Sequence, residues 1–251
     1  MKSLKISFSS QNSKLIGLIE EPVASDKPMI MLLHGLTNSM IDCPLINEAT
    51  QTLHAKGFPT FRFDYFGSGQ SPGKFSDKTF SILVKNTQDA LEFITKRNKR
   101  IGVWGRSLGA ILGSIICDEP QVFATVLLST TIRTEKSFSK LFENITNFSL
   151  PIKGTGEIKG KPILPMKFYE ETAWVDKEQK RHLSKAKNVL VIQGTEDKII
   201  PHLSWAKEVY STISKPKQLL FIKGANHAQN ERELEAVSQG VMWFEEKYKS
   251  F

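Results

Sequence analysis

Residues 101–109 read IGVWGRSLG, an apolar run leading into a serine that has a glycine two positions before it and another two positions after it. The segment LGAILGSIICD continues from Leu108 with helical spacing of its apolar residues. A strand that turns directly into a helix leaves no room for a side chain at either flanking position. We therefore predict a strand, a sharp turn at Ser107 and a helix, with Gly105 and Gly109 supplying clearance and not flexibility.

Seven further runs of strand length occur along the chain, and most are separated by segments with helical spacing. The first two are joined by a short polar turn and predict an antiparallel pair, whereas the others are typical of βαβ units. We expect an α/β fold with a mostly parallel eight-stranded sheet flanked by helices. The seven runs are 4–10, 14–22, 28–35, 58–65, 124–130, 188–194 and 217–224.

One region interrupts this alternation. Residues 132–187 contain three prolines and the glycine-rich stretch KGTGEIKGKP, without a clear strand-then-helix order. A segment of this length is too long for an ordinary loop. We predict a cap inserted between two parts of the core, which are residues 1–131 and 188–251.

Chemically versatile residues follow three of the predicted strands, where parallel sheets bind ligands. They are Ser107, Asp197 and His227. A serine hydroxyl needs a base to take its proton and an acid to orient that base, and the order Ser, Asp, His supplies both. Glu196 is the competing acid. The three residues predict a nucleophile, an orienting acid and a general base.

An oxyanion formed at such a serine needs two N–H donors. The Leu108 amide, at the start of the helix after the nucleophile, is one candidate. The Leu36 amide, which follows His34 and Gly35 in the loop after the third strand, is the other. We interpret His34 as a residue that shapes this loop and not as a second base.

Four stretches resemble motifs of α/β-hydrolase-fold serine hydrolases, and the resemblance extends over essentially the whole chain. LLHGLTNS is similar to the oxyanion loop and FRFDYFGSGQSPGKF to the stretch after the fourth strand, while GTEDKIIP and GANH resemble the acid and histidine loops. Within that fold the chain looks like bacterial carboxylesterases of the feruloyl and cinnamoyl esterase type, and more distantly like monoacylglycerol lipases and serine aminopeptidases. The resemblance implies the site roles assigned above and a cap that shapes the substrate pocket.

The sequence departs from the feruloyl esterase pattern at the substrate side. Leu36 stands where cinnamoyl esterases have Phe, and Arg106 and Leu108 flank the serine in place of His and Gln. Arg106, Tyr169 and Trp174 are the candidate pocket residues. We expect a carboxylesterase for small to medium esters, with thioesterase, monoacylglycerol lipase, amidase or aminopeptidase, and carbon–carbon hydrolase as open alternatives. A binding module with an inactive site is the alternative from another class.

Composition limits the other classes of function. The net charge is +8, but there is no long basic block or nucleic-acid motif. Two distant cysteines and five scattered histidines predict neither a metal site nor a cofactor. Residues 68–75, SGQSPGKF, approach the pattern of a nucleotide-binding phosphate loop but lack its first glycine and its final hydroxyl, so we do not expect nucleotide binding. We instead expect Arg62, Asp64, Gly67 and Gly69 to shape a tight loop beside the site.

The sequence also carries predictions about location and assembly. The first residues, MKSLKISFSS, lack an apolar signal segment, and no uncharged apolar stretch is long enough for a membrane helix. We therefore expect a cytoplasmic protein without stable membrane association. We expect it to be a monomer or a homodimer that acts on a small-molecule ester.

Overall fold

A computed structural model describes residues 1–23, 25–138, 164–228 and 232–250. Each run of apolar residues forms a strand close to its expected bounds, and the third, Met29–Leu33, is buried at every position. The strands are β1 (Lys2–Ser10), β2 (Ser13–Glu21), β3 (Met29–Leu33), β4 (Thr60–Phe63), β5 (Ile101–Arg106), β6 (Val122–Leu128), β7 (Val189–Gly194) and β8 (Lys217–Ile222).

The eight strands form one sheet in the order β1-β2-β4-β3-β5-β6-β7-β8. β1 pairs with β2 and β2 with β4 in antiparallel register, whereas every pair from β4 to β8 is parallel. The expected α/β fold with a mostly parallel eight-stranded sheet is confirmed. Because β3, β5, β7 and β8 run in the same direction, the loops that follow them lie at one edge of the sheet.

Helices cover both faces of the sheet. Side chains alternate along β5. Val103 packs with α2 (Phe80–Thr95) and α3 (Leu108–Ile115) on one face, while Trp104 packs with α1 (Pro44–Ala55) and α7 (Glu233–Lys249) on the other. Gly57, placed at the end of α1 by sequence, has a φ of 78° there. The helices are α1 (Pro44–Ala55), α2 (Phe80–Thr95), α3 (Leu108–Ile115), α4 (Met166–Glu170), α5 (Thr172–Leu183), α6 (Leu203–Thr212) and α7 (Glu233–Lys249). Residues 134–138 are also helical.

The predicted cap needs a correction at its C-terminal end. α5 packs against α3 and α6, and its Leu183 lies in an apolar cluster with Val189 and Val191 of β7. This helix therefore flanks the sheet as part of the core, and the core resumes well before residue 188. Residues 139–163 of the predicted cap lie outside the described residues, so a cap there stays a prediction.

Polar contacts explain why the sequence pattern of α5 does not predict a helix that packs in the core. Its inward face carries Gln179, whose Nε2 donates to Ser114 Oγ at 3.0 Å and to the Thr131 carbonyl at 2.9 Å. His182 Nδ1 lies 2.5 Å from Asp118 Oδ1. Buried polar groups of this kind are stable only when partners from other elements satisfy them, and sequence periodicity does not register those partners.

Candidate active site

Ser107 occupies a sharp turn between β5 and α3. Its φ is 56° and its ψ is −120°, a conformation that costs a residue with a side chain about 1–3 kcal/mol. A Cβ on Gly105 would lie 2.2 Å from the Gly109 carbonyl oxygen, and a Cβ on Gly109 would lie 2.1 Å from the Leu33 carbonyl oxygen. Both glycines are therefore required by the close approach of backbone to backbone, which is the clearance that the sequence predicts.

The structure brings Ser107, His227 and Asp197 into one chain of hydrogen bonds. His227 Nε2 lies 3.0 Å from Ser107 Oγ, and His227 Nδ1 lies 2.8 Å from Asp197 Oδ2. Because a carboxylate only accepts, Nδ1 carries the imidazole proton and Nε2 accepts from the serine hydroxyl. This is the arrangement in which a histidine can remove the serine proton.

Asp197 is held by four donors. Oδ1 accepts from the amides of Ile199 and Ile200 at 2.9 and 2.8 Å, and Oδ2 accepts from Gln193 Nε2 at 3.0 Å in addition to His227. Burial raises the pKa of Asp197, but the hydrogen bonds and the neighbouring imidazole outweigh it and leave the pKa below its ordinary value. The carboxylate is therefore ionised and oriented.

Glu196, the competing acid, is exposed, and its neighbour Asp197 is the carboxylate that contacts the histidine. The pKa of His227 lies below its ordinary value because burial opposes the imidazolium and the Arg106 charge adds to that effect. The contact with Asp197 acts in the opposite direction. The imidazole is therefore neutral near pH 7 and able to accept a proton.

The loop after β3 lies against the serine. Leu36 and Leu108, the candidate oxyanion donors, both line the same cavity as Ser107. His34 is buried, which lowers its pKa to about 3, and its Nδ1 lies 2.7 Å from the Gly35 carbonyl. His34 is therefore neutral and donates to that carbonyl, as expected for a residue that shapes the loop.

Asp64 connects two loops by accepting hydrogen bonds from their backbone amides. Its Oδ1 accepts from the Met40 amide and its Oδ2 from the Gln70 amide, both at 2.7 Å. A Cβ on Gly69 would lie 2.3 Å from Asp64 Oδ2, so only glycine fits there. Arg62 forms an ion pair with Glu20 at 2.6 Å. Gly67, in the loop after β4 that also contains Gly69, has a φ of 71°.

Sequence reasoning missed a buried lysine beside this loop. Lys78 is 1% exposed; its Nζ donates to Ser68 Oγ at 2.6 Å and lies 3.4 Å from the Leu36 carbonyl. Burial lowers the pKa of Lys78 to about 7. Lysines are almost always exposed, so nothing in the pattern singled it out.

A cavity of about 210 Å³ opens beside Ser107. Its described lining is mostly apolar and contains Arg106, one of the candidate pocket residues. Tyr169 instead packs against the core cluster of β-sheet and α2 side chains, and Trp174 is 40% exposed on α5. Neither belongs to the described lining, which consists of Leu36, Thr37, Arg106, Ser107, Leu108, Ile111, Ser137, Phe138, Ile199, Ile200 and His227.

Two features are absent from residues 1–23, 25–138, 164–228 and 232–250. No group of three or more His, Cys, Asp or Glu side chains in those ranges could hold a metal ion. In the same residues, no helix is long and apolar enough to cross a bilayer.

Comparison with curated proteins gives distant relatives. YfhR of Escherichia coli K12, an uncharacterized protein, is 25% identical over 207 residues, which are 79% of this chain and 62% of YfhR. An uncharacterized 31.7 kDa protein of Escherichia coli is 33% identical over 89 residues, 33% of this chain and 29% of that protein. The chain thus spans less than two thirds of the length of these relatives.

Solved structures share the fold at low identity. Est1E from Butyrivibrio proteoclasticus, determined with bound ferulic acid, has a TM-score of 0.78 and 19% identity, covering 98% of this chain and 100% of Est1E. The Pyrococcus furiosus esterase Pf2001 has a TM-score of 0.76 and 17% identity, covering 98% and 91%. The α/β hydrolase GrgF from Penicillium sp. sh18 has a TM-score of 0.75 and 14% identity over the full length of both chains.

The family model for serine aminopeptidases of group S33 matches residues 24–164, more than half of the chain. That match includes the loop after β3 and the turn at Ser107. The chain belongs to the S33 serine aminopeptidase family of α/β hydrolases.

Proposed function

We propose that this protein is a serine hydrolase that cleaves small to medium carboxylic esters through an acyl-enzyme. The observation that carries the proposal is the hydrogen-bond chain from Ser107 Oγ through His227 to Asp197, with distances of 3.0 and 2.8 Å. A serine hydroxyl at that distance from a neutral, oriented imidazole is ready to lose its proton as it attacks.

In the first half of the reaction, Ser107 Oγ forms a bond to the ester carbonyl carbon while His227 Nε2 takes the hydroxyl proton. The carbonyl oxygen becomes an oxyanion, and we assign its two N–H donors to Leu36 and Leu108, which line the cavity beside the serine. The ester C–O bond then breaks, and the imidazolium gives its proton to the leaving alcohol. Asp197 keeps the imidazole in the required tautomer and stabilises its positive charge.

In the second half, water replaces the alcohol. His227 Nε2 removes a proton from water as its oxygen attacks the acyl carbon, and the oxyanion forms again between the same two amides. Collapse of this intermediate breaks the bond to Ser107 Oγ, which recovers a proton from His227. The carboxylic acid leaves and the free enzyme is regenerated.

The cavity favours an apolar acyl group over a free α-amino group. An aminopeptidase must hold a substrate ammonium, and such a site needs a carboxylate or several oxygen acceptors. The described lining contains no carboxylate, and its guanidinium, Arg106, would repel an ammonium. Aliphatic side chains such as Leu108, Ile111 and Ile200 instead suit a hydrocarbon.

The proposal is tested with purified wild-type protein, Ser107→Ala and the matched control Ser211→Ala, an exposed serine on α6. Hydrolysis of p-nitrophenyl acetate should fall by about 10⁴-fold or more in Ser107→Ala and stay at the wild-type rate in Ser211→Ala. Full turnover by Ser107→Ala would contradict the proposal.

A substrate panel separates the alternatives that share this chemistry. Acetyl, butyryl, octanoyl and feruloyl esters, a monoacylglycerol, acyl-CoA thioesters and aminoacyl amides are compared by kcat/KM. We expect the short and medium esters to lead. Preference for amides or thioesters would replace the esterase proposal with an amidase or thioesterase. The cytoplasmic location, the monomeric or dimeric state and the lack of nucleic-acid partners remain proposals from the sequence.

A further inference from the structure

Arg106 joins three segments that meet at the candidate site. It is the last residue of β5 and directly precedes Ser107. Its Nη1 donates to Asn38 Oδ1 at 3.2 Å, and its Nη2 donates to the His227 carbonyl at 3.1 Å. Asn38 lies in the loop that carries Leu36, so one guanidinium bridges the nucleophile, the candidate oxyanion loop and the histidine.

The surroundings of Arg106 are built for this bridge. A Cβ on Gly35 would lie 2.8 Å from Nη1, so glycine at this position lets the guanidinium reach the loop. Two further hydrogen bonds fix Asn38. Its backbone N–H donates to the Gly35 carbonyl at 3.2 Å, and its side-chain Nδ2 donates to the Asp42 carbonyl at 3.2 Å. Its Oδ1 is therefore turned toward Arg106.

Among the described residues, no ion pair balances the charge of this guanidinium. Both acceptors are neutral oxygens. Burial and the Glu48 charge raise the pKa of Glu233 above its ordinary value, and the Arg106 charge opposes them. Burial also raises the pKa of the Cys43 thiol, and the Arg106 charge opposes that rise.

Of the described residues, Asp197 and Arg106 are the charged groups that act on the imidazole of His227. Asp197, after β7, favours the imidazolium through a hydrogen bond, and Arg106, at the end of β5, disfavours it through charge repulsion. A positive charge near a base keeps the base unprotonated to lower pH. The position of Arg106 thus gives it an electrostatic effect in addition to its two hydrogen bonds.

We propose that Arg106 is a positioning residue that fixes the relative positions of Ser107, the Leu36 loop and His227. Its positive charge also sets the pH below which activity falls. The proposal rests on the proposed function. The planar guanidinium of arginine donates to two acceptors in fixed directions, whereas a lysine ammonium on a flexible chain does not reproduce that geometry.

Four variants separate the two effects: Arg106→Lys, Arg106→Gln, Arg106→Met and Asn38→Ala. For each, kcat, KM and the pH profile of kcat/KM are measured with p-nitrophenyl acetate. All four should lose kcat by about tenfold or more with a smaller change in KM, because small displacements of reacting groups are costly. Only Arg106→Gln and Arg106→Met should shift the acid limb, and to higher pH, since they remove the charge that opposes the imidazolium.

The outcomes distinguish this inference from the proposed function. If wild-type hydrolysis depends on Ser107 but Arg106→Gln and Arg106→Met keep the wild-type acid limb, the electrostatic role is wrong. Unchanged kcat in Arg106→Lys and Asn38→Ala would overturn the positioning role, and these two variants carry that test if Arg106→Met does not fold by circular dichroism. If wild type and Ser107→Ala hydrolyse the ester equally, the proposed function itself fails.

Discussion

Asp197→Asn tests whether the carboxylate of Asp197 orients the imidazole of His227 for proton transfer from Ser107. In the native site, Asp197 Oδ1 accepts from the two amides of Ile199 and Ile200, and Oδ2 accepts from Gln193 and His227. Asparagine has one oxygen, which the two backbone amides retain, so its NH₂ group faces two other donors. The imidazole then turns to the other tautomer, with its proton on Nε2, and no longer accepts from the serine.

The expected loss of kcat is about 10⁴-fold near pH 7, the size found when the same change reverses the tautomer in other triads. Opposed donors also lower the free energy of unfolding, by about 1–3 kcal/mol. The assay is p-nitrophenyl acetate hydrolysis from pH 5 to 9, with urea unfolding of the same samples. Glu196→Gln, at the exposed neighbouring acid, is the matched control and should keep the wild-type rate. Activity of Asp197→Asn within tenfold of wild type, or a large loss in Glu196→Gln, would refute this reasoning.

Two further predictions concern the scaffold. Gly109→Ala places a Cβ 2.1 Å from the Leu33 carbonyl and should lower the free energy of unfolding by about 1–3 kcal/mol in urea. Gly113→Ala, on the same helix with its nearest contact at 3.2 Å, should unfold at close to the wild-type urea concentration, so equal losses would contradict the elbow geometry. Lys78 has a pKa of about 7 when folded against an ordinary 10.5, so the unfolded chain binds more protons between those values. The stability of wild type relative to Lys78→Met should therefore rise above pH 7, by up to about 1.4 kcal/mol per pH unit, and a constant difference between pH 7 and 9 would show that the buried lysine keeps its ordinary pKa.

The sheet and the turn at Ser107 could be predicted because their signals are local. Each buried strand is a short apolar run, and Gly105 and Gly109 report a backbone contact that admits no side chain. Asp197 and His227 could be named because each follows its own strand. Their distances from Ser107 depend on three loop conformations, which no local sequence pattern predicts.

Other features depend on partners distant in sequence and could not be predicted. The inward face of α5 is stabilised by polar contacts of Gln179 and His182, so its sequence has no apolar stripe that would predict a core helix. Lys78 is buried between Ser68 and the Leu36 carbonyl, a placement that no periodic pattern indicates. The bridge made by Arg106 likewise requires knowing that Asn38 and the His227 carbonyl approach the same guanidinium.

The most direct test of Ser107 as an activated nucleophile is labelling with a fluorophosphonate, followed by intact mass and peptide mapping. Attack by the serine oxygen displaces fluoride and leaves one phosphonyl group on the protein, with the proton taken up by His227. Wild type should gain one such group on the peptide that contains Ser107, and Ser107→Ala should gain none. Equal labelling of Ser107→Ala, or a label that maps to another residue in wild type, would contradict the proposed mechanism.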